Sequence, residues 1–160
     1  MNTTAADPAF HRAPARPTAP PSELSRPYWE AAAQGRLVIQ ACAACGTLRH
    51  YPRLLCNRCH SDACTWQPAS GQGLVHSWTV SHHAFHPSFA AELPYTLVTV
   101  DLIEGVRALG RYWGQATLAS PLAIPLATPL ATPLAIGLPV QGRFEPREGG
   151  VDLVFRPRQG

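Results

Sequence analysis

The 160-residue chain contains no lysine; all 13 of its basic residues are arginines. That absence excludes a Schiff-base lysine, a phosphate-loop lysine and a lysine general base. Charge is sparse as well: 14% of residues are charged and the formal net charge is +3. Proteins that grip duplex nucleic acid through its phosphates carry a larger basic excess. Methionine occurs once, at Met1. A long uninterrupted apolar run is also missing. Residues 116–140 have almost no polar side chains, but Pro121, Pro125, Pro129, Pro133 and Pro139 break them up. Each proline inside a helix costs about 3 kcal/mol, so these five exclude a spanning helix. Residues 1–21 lack the apolar segment of a secretory signal, and a soluble, cytoplasmic protein is expected. What remains is 46% hydrophobic, enough to bury a core.

Residues 1–24 read as an Ala/Pro-rich mobile tail. A short helix follows, with Ser25 as its cap, Pro27 in its first turn and Gly35 as its stop. Tyr28, Trp29 and Ala32 lie near one face, which packs on its own domain or docks another chain. Residues 37–39 form a strand leading into the cysteine segment, and residues 25–66 are read as helix plus metal ribbon. Residues 67–160 change character. Short β-type runs occupy 74–82, 95–102, 107–113, 138–144 and 153–156. In the first, Val75, Ser77, Thr79 and Ser81 oppose Leu74, His76, Trp78 and Val80. Glu104 and Gly105 supply a tight hairpin turn. The fold class is therefore mainly β, and five short strands suit an OB-type barrel, with a sandwich fragment as the other option. A Pro-Leu-Ala repeat fills 121–136. Its period of four fits neither helix nor ladder, so it should be an extended surface loop, or a loop whose leucines meet a partner.

Cys42-Ala-Ala-Cys45-Gly46 and Cys56-Asn-Arg-Cys59-His60 give Cys-x2-Cys-x10-Cys-x2-Cys. Two cysteines two apart wrap a tight turn around one ion, and four soft ligands suit tetrahedral zinc. Iron in a rubredoxin-like site has the same ligands and stays open. Cys-x-x-Cys-His also matches c-type haem attachment, but export and an axial methionine are both missing. Disulfides are disfavoured in an unexported chain. Four thiolates close the coordination shell, so the metal is structural and replaces a hydrophobic core in this segment. His60 is a surface or outer group, and Cys64 is left over, a small partly buried residue or an exposed thiol.

The order Pro27-Tyr28-Trp29, Gly35-Arg36-Leu37, Cys42-x2-Cys45-Gly46, Tyr51-Pro52-Arg53, Cys56-x2-Cys59 and Trp66 resembles the rubredoxin-like zinc ribbon of the acyl-CoA-associated OB-fold proteins. Gly71-x-Gly73, Ser77-Trp78-Thr79-Val80, Pro94-Tyr95, Val100-Asp101-Leu102, Glu104-Gly105, Gly137-Leu138-Pro139-Val140 and Phe155-Arg156-Pro157 resemble its barrel. The likeness covers about 25–157; the proline repeat replaces a shorter connection. The resemblance implies a non-catalytic accessory subunit beside a thiolase-like enzyme, an aldolase of steroid side-chain degradation or an enoyl-CoA hydratase. In that setting the helix and ribbon hold the complex, and the barrel lies near the acyl-CoA entrance.

Other functions find less support. His82, His83 and His86 are the candidates for acid–base work, with Asp101 and Glu104 as orienters. His82 and His83 would face opposite sides of a strand, so only one could serve a site, and the plainer reading makes all three strand-end or loop residues. Arg107 and Arg111 share a strand face and can meet CoA phosphates or simply be solvated. Trp78 and Trp113 read as barrel core, or as the apolar lining for an acyl group or partner. A single-stranded nucleic-acid site needs a basic groove. Residues 67–160 carry six arginines against six acids, which argues against one.

Overall fold

The computed structural model describes residues 15–18, 20–114 and 133–158. Helix α1 (Arg26–Ala33) opens the fold, with Pro27 in its first turn, where the missing N–H is not needed. Ser25 does not cap it with its side chain. Its backbone is already helical (φ −97°, ψ −8°), and its Oγ bonds Ser22 Oγ at 3.0 Å instead. Gly35 does stop the helix: at φ +73° its N–H reaches Ala32 O while that of Arg36 reaches Ala31 O. Tyr28, Ala31 and Ala32 are buried, whereas Trp29 is 41% exposed.

Next come β1 (Val38–Cys42), β2 (Leu48–Arg49) and β3 (Cys64–Pro68), an antiparallel sheet ordered β2-β1-β3. Every residue of β1 is buried. Leu37, Val38 and Ile39 join one apolar cluster with Val75, Val98, Val140 and Phe155. This corrects the expectation of a segment without a core. The base of the ribbon shares the core of the barrel, and only the loops beyond Cys42 lack one. There Leu54 and Leu55 are 68% and 51% exposed.

Strands β4 (Gln72–Ser81), β5 (Tyr95–Leu102), β6 (Arg107–Tyr112), β7 (Pro139–Arg147) and β8 (Gly150–Pro157) close a barrel in the order β4-β5-β6-β8-β7. All neighbours are antiparallel except β6 and β8, and β4 pairs with β7 to complete the ring. This is the five-stranded barrel of an OB-fold. Gly105 makes the expected turn at φ +82°, its N–H bonded to Leu102 O. The last two strands run longer than the sequence suggests because they form one hairpin, Arg147 facing Gly150 across two connecting residues.

The alternation read along β4 breaks at a bulge. Val75 pairs with Val100 and Ser77 with Thr99, leaving His76 as the extra residue. One extra residue shifts the side-chain parity. Val75 therefore points inward with Trp78 and Val80, and Leu74 is 49% exposed. Two further expectations change. β4 ends at Ser81, so His82 and His83 lie beyond it rather than on opposite faces of a strand. Trp113 is not core: the inward positions of β6 are Ala108, Gly110 and Tyr112, and the next side chain turns out, leaving Trp113 57% exposed.

Residues 1–14 of the expected tail and 121–132 of the repeat lie outside the described residues. Arg16, in the same tail, pairs with Glu92 and Asp152 and lies 4.8 Å from the Phe89 ring centre. In the last repeat unit Leu134 is buried in the core, and Ile136 is 74% exposed. No helix among the described residues is long and apolar enough to cross a membrane.

Candidate metal centre and the residues around it

Cys42 closes β1 and Cys45 follows in a tight turn, where Gly46 N–H bonds Cys42 O at 2.9 Å. The second pair repeats the geometry, with His60 N–H on Cys56 O at 2.9 Å. Both turns need a left-handed residue after the second cysteine. Gly46 supplies it at φ +72°, and His60 adopts it at φ +62°. His60 is thus the last residue of a knuckle, while the clustered ligand atoms are those of the four cysteines.

The four Sγ atoms lie within 4.8 Å of one another. Sulfurs about 2.3 Å from one ion stand about 3.8 Å apart in a tetrahedron. Cys42–Cys59 and Cys45–Cys56 are 3.5 and 3.6 Å apart, close to that edge and far from an S–S bond of about 2.05 Å. The donor set fits a single soft, tetrahedral ion. Two of the thiols, Cys45 and Cys56, are also prepared for ionisation. The Thr47 hydroxyl and backbone beside Cys45 hold its thiol down to about 6, and the Arg58 backbone N–H lowers that of Cys56. The lowering bond from Ser61 is outweighed at Cys59, which its contacts with Cys45 and Cys42 push up to about 12. Cys64, opposite Cys42 in the β1–β3 ladder, is exposed rather than partly buried.

His60→Gly should therefore retain full metal content and equal or exceed wild-type stability. Left-handed backbone costs a non-glycine residue about 1–2 kcal/mol, and glycine escapes it. Denaturant titration with metal analysis checks this; loss of metal would make His60 a ligand.

The remaining candidates do not converge on one place. Tyr28 is inside the fold, its ring 5.9 Å from Phe144 and 5.5 Å from His50, so Trp29 is the member of that pair left at the surface. Trp78 is half-buried against the core. Arg107 donates to Asp101 at 2.7 Å. Arg111 donates to Glu92 at 2.5 Å and stands 5.6 Å from the Tyr95 ring centre. Arg111, Trp113, Tyr95 and Asp152 line a cavity of about 910 Å³ at one end of the barrel. The guanidinium of Arg156 lies 5.6 Å from the Trp113 ring centre.

The histidines and their expected orienters stay apart. His82 is exposed just past β4, next to the Ser81–Tyr95 end of the β4–β5 ladder. Asp101 pairs with Leu74 near the other end, seven residues and roughly 20 Å away. Asp101 serves Arg107 and His76, and Glu104 accepts from Ser70 N–H and Oγ at 2.6 and 2.7 Å. His86 accepts from Ser88 N–H at the start of a 3-10 turn (Pro87–Glu92).

The sequence reading missed Gln40, Arg49 and His50. Gln40 and Arg49 are buried, and a glutamine inside the run Leu37-Val38-Ile39-Gln40-Ala41 was the available signal. Burial holds the His50 imidazole down to about 4, so it is neutral when folded. Its ordinary value is about 6.5, so the unfolded chain takes up the proton first on acidification. The contribution is complete above about pH 6.5 and is lost as the pH falls toward 4, a difference of about 3 kcal/mol. His50→Phe should flatten the acid limb of the stability profile by that amount in phosphate-free buffer.

Residues 29–64 match the family described as "ChsH2, rubredoxin-like zinc ribbon domain", and residues 66–145 match "ChsH2, C-terminal OB-fold domain". A Thermomonospora curvata protein named "Probable enoyl-CoA hydratase alpha subunit" is 47% identical over 89 residues, 56% of this chain and 27% of that protein. The chain thus spans about a quarter of the length of that curated relative. A solved chain described as "Ltp2-ChsH2(DUF35) aldolase" superposes with a TM-score of 0.68 at 36% identity, over 89% of this chain and 98% of that one. A DUF35-family protein of unknown function from Sulfolobus solfataricus superposes at 0.55 with 11% identity, over 86% and 87% of the two chains, a likeness of fold. The ribbon, the barrel and their order along the chain place this protein in the ChsH2 (DUF35) family, a rubredoxin-like zinc ribbon followed by an OB-fold domain.

Proposed function

We propose that this chain is a non-catalytic accessory subunit whose Cys42, Cys45, Cys56 and Cys59 hold one structural zinc ion, and which supports a partner enzyme acting on acyl-CoA thioesters. The observation that carries the reading is the pair of relatives. One is named for an aldolase and the other for a hydratase subunit. These reactions change different bonds, carbon–carbon in one and carbon–oxygen in the other. A module common to both fits a task that the reactions share, namely holding the complex and the CoA thioester entrance, rather than either chemistry. Four thiolates around one ion leave no coordination position for a substrate. The one His–carboxylate pair among the described residues, His76 with Asp101, is exposed and tied up by Arg107, and His82, His83 and His86 have no carboxylate hydrogen-bond partner there.

Trp29 on α1, with Leu54 and Leu55 between the knuckles, gives the ribbon side exposed apolar groups for a partner. The cavity lined by Arg111 and Trp113 is the part of the barrel suited to face the thioester entrance. The partner belongs to the thiolase-like, aldolase or hydratase class. The test uses the tagged full-length chain in its native cell. It should retain an acyl-CoA enzyme of one of these classes, identified by mass spectrometry. That enzyme should then turn over its thioester faster with the chain than without it, while the chain alone is inactive. A stable monomer that changes no such enzyme's rate would overturn the reading, as would turnover by the isolated chain.

A further inference from the structure

The buried polar atoms without a hydrogen-bond partner are concentrated in one place. Among the described residues, Arg49 Nε, Nη1 and Nη2, Gln40 Nε2 and His50 Nε2 are five of the seven such side-chain atoms. Arg49 is 4% exposed and Gln40 1%. The two stand directly opposite each other in β1 and β2, so their side chains share a face of the sheet. Four of the five atoms can only donate, and the neutral imidazole of His50 can donate with its Nε2. Native interiors rarely leave a guanidinium with no acceptor, because a buried cation needs its charge and its hydrogen bonds answered together.

Two of these three residues border open space. Arg49 and His50 line a cavity of about 360 Å³ between the ribbon and the β5–β6 turn, together with Arg53, Asn57 and Arg107. No carboxylate lines it; the nearby Asp101 is engaged with Arg107 and His76. Three guanidinium groups, two neutral donors and no acid suit an anion with several oxygens and more than one charge. A planar guanidinium fork matches phosphate oxygens pairwise.

We propose that Arg49, with Arg53, Asn57 and Arg107 around it, forms a binding site for the phosphate group of a soluble phosphoester. The group is seated between β2 and the β5–β6 turn and takes its innermost hydrogen bonds from the Arg49 guanidinium. The site uses none of the four cysteines, although Asn57 directly follows Cys56, and it is distinct from the Arg111–Trp113 cavity. It requires no partner chain, so it stands or falls independently of the accessory-subunit reading.

The test is thermal unfolding and calorimetric titration of the full-length, metal-loaded chain at constant ionic strength. The probes are inorganic phosphate and adenosine 3′,5′-bisphosphate, with adenosine and sodium chloride as controls. Phosphate should raise the unfolding midpoint saturably, as a ligand of the native state does. The bisphosphate should bind more tightly than inorganic phosphate if the natural source is a phosphoester; equal affinity would assign the site to the free ion. Arg53→Ala and Arg107→Ala should fold normally and weaken binding about tenfold each. Arg49→Met should abolish the response and, by removing an unpaired buried cation, raise the midpoint of the ligand-free chain. Should Arg49→Met fail to fold, the two rim variants decide. A wild-type chain that responds no more to phosphate than to matched chloride overturns the proposal, leaving the guanidinium to a partner's carboxylate. Rim variants with unchanged affinity overturn it equally.

Discussion

Cys45→Ser is expected to strip the metal and unfold the loops from 43 to 63 while the barrel stays folded. A structural zinc site of this type supplies an apparent binding energy of roughly 10–16 kcal/mol, as much as the whole stability of an ordinary domain. The loops have nothing comparable to fall back on, since Leu54 and Leu55 are more than half exposed and Tyr51 is 49% exposed. The effect should stop near Cys42, because Leu37, Val38 and Ile39 are held in the core shared with the barrel. Limited proteolysis should cut the variant between the two cysteine pairs and leave the strands from β4 onward intact. Metal analysis of the same sample should read zero. A variant with full metal and wild-type protease resistance would refute the ligand assignment. Because Leu54 and Leu55, two of the exposed apolar residues proposed to meet a partner, lie in these loops, the variant should also retain less of the acyl-CoA enzyme proposed above.

The second large effect belongs to the barrel. Phe155→Ala should cost about 3–5 kcal/mol, the range for deleting a buried phenyl ring. Phe155 is fully buried and sits between two glycines that make room for it. A Cβ at Gly142 would stand 2.6 Å from its Cε1, and one at Gly110 would stand 2.8 Å from its Cε2 and 2.6 Å from Leu153 O. The ring thus lies against the bare backbone of β6 and β7 at these two positions, which offer no side chain to fill the void. Denaturant titration measures the loss. Phe85→Ala is the control: that ring is 83% exposed, and its removal should change stability by less than about 0.5 kcal/mol.

The parts of this molecule legible in its sequence are those fixed by local chemistry. Two Cys-x2-Cys pairs can be read because each is a single turn of backbone. Gly105 and Gly35 can be read because each sits where a left-handed residue is required. The five barrel strands show as apolar runs between turns. What failed depended on contacts between distant residues. The bulge at His76 is imposed by pairing with β5, and nothing in 74–82 itself announces the extra residue. It reverses the faces of everything after it, which is how Leu74 and Trp78 came to be placed on one side. Trp113 reads as core by its size, but its position one step past Tyr112 turns it outward. Arg49 was invisible as a buried group because β2 is two residues long, too short to show a period. Its burial comes from packing between β1 and the barrel. Arg16 illustrates the same limit, since its partners Glu92 and Asp152 lie 76 and 136 residues away along the chain.

The claim on which the account turns is that four thiolates share one ion. Elemental analysis of freshly purified full-length chain, normalised to protein, measures it directly. The account predicts one equivalent of a tetrahedral metal, zinc or iron, with none in the variant that lacks Cys45. A metal-free native chain, or one in which two of these cysteines are joined in a disulfide, would contradict it.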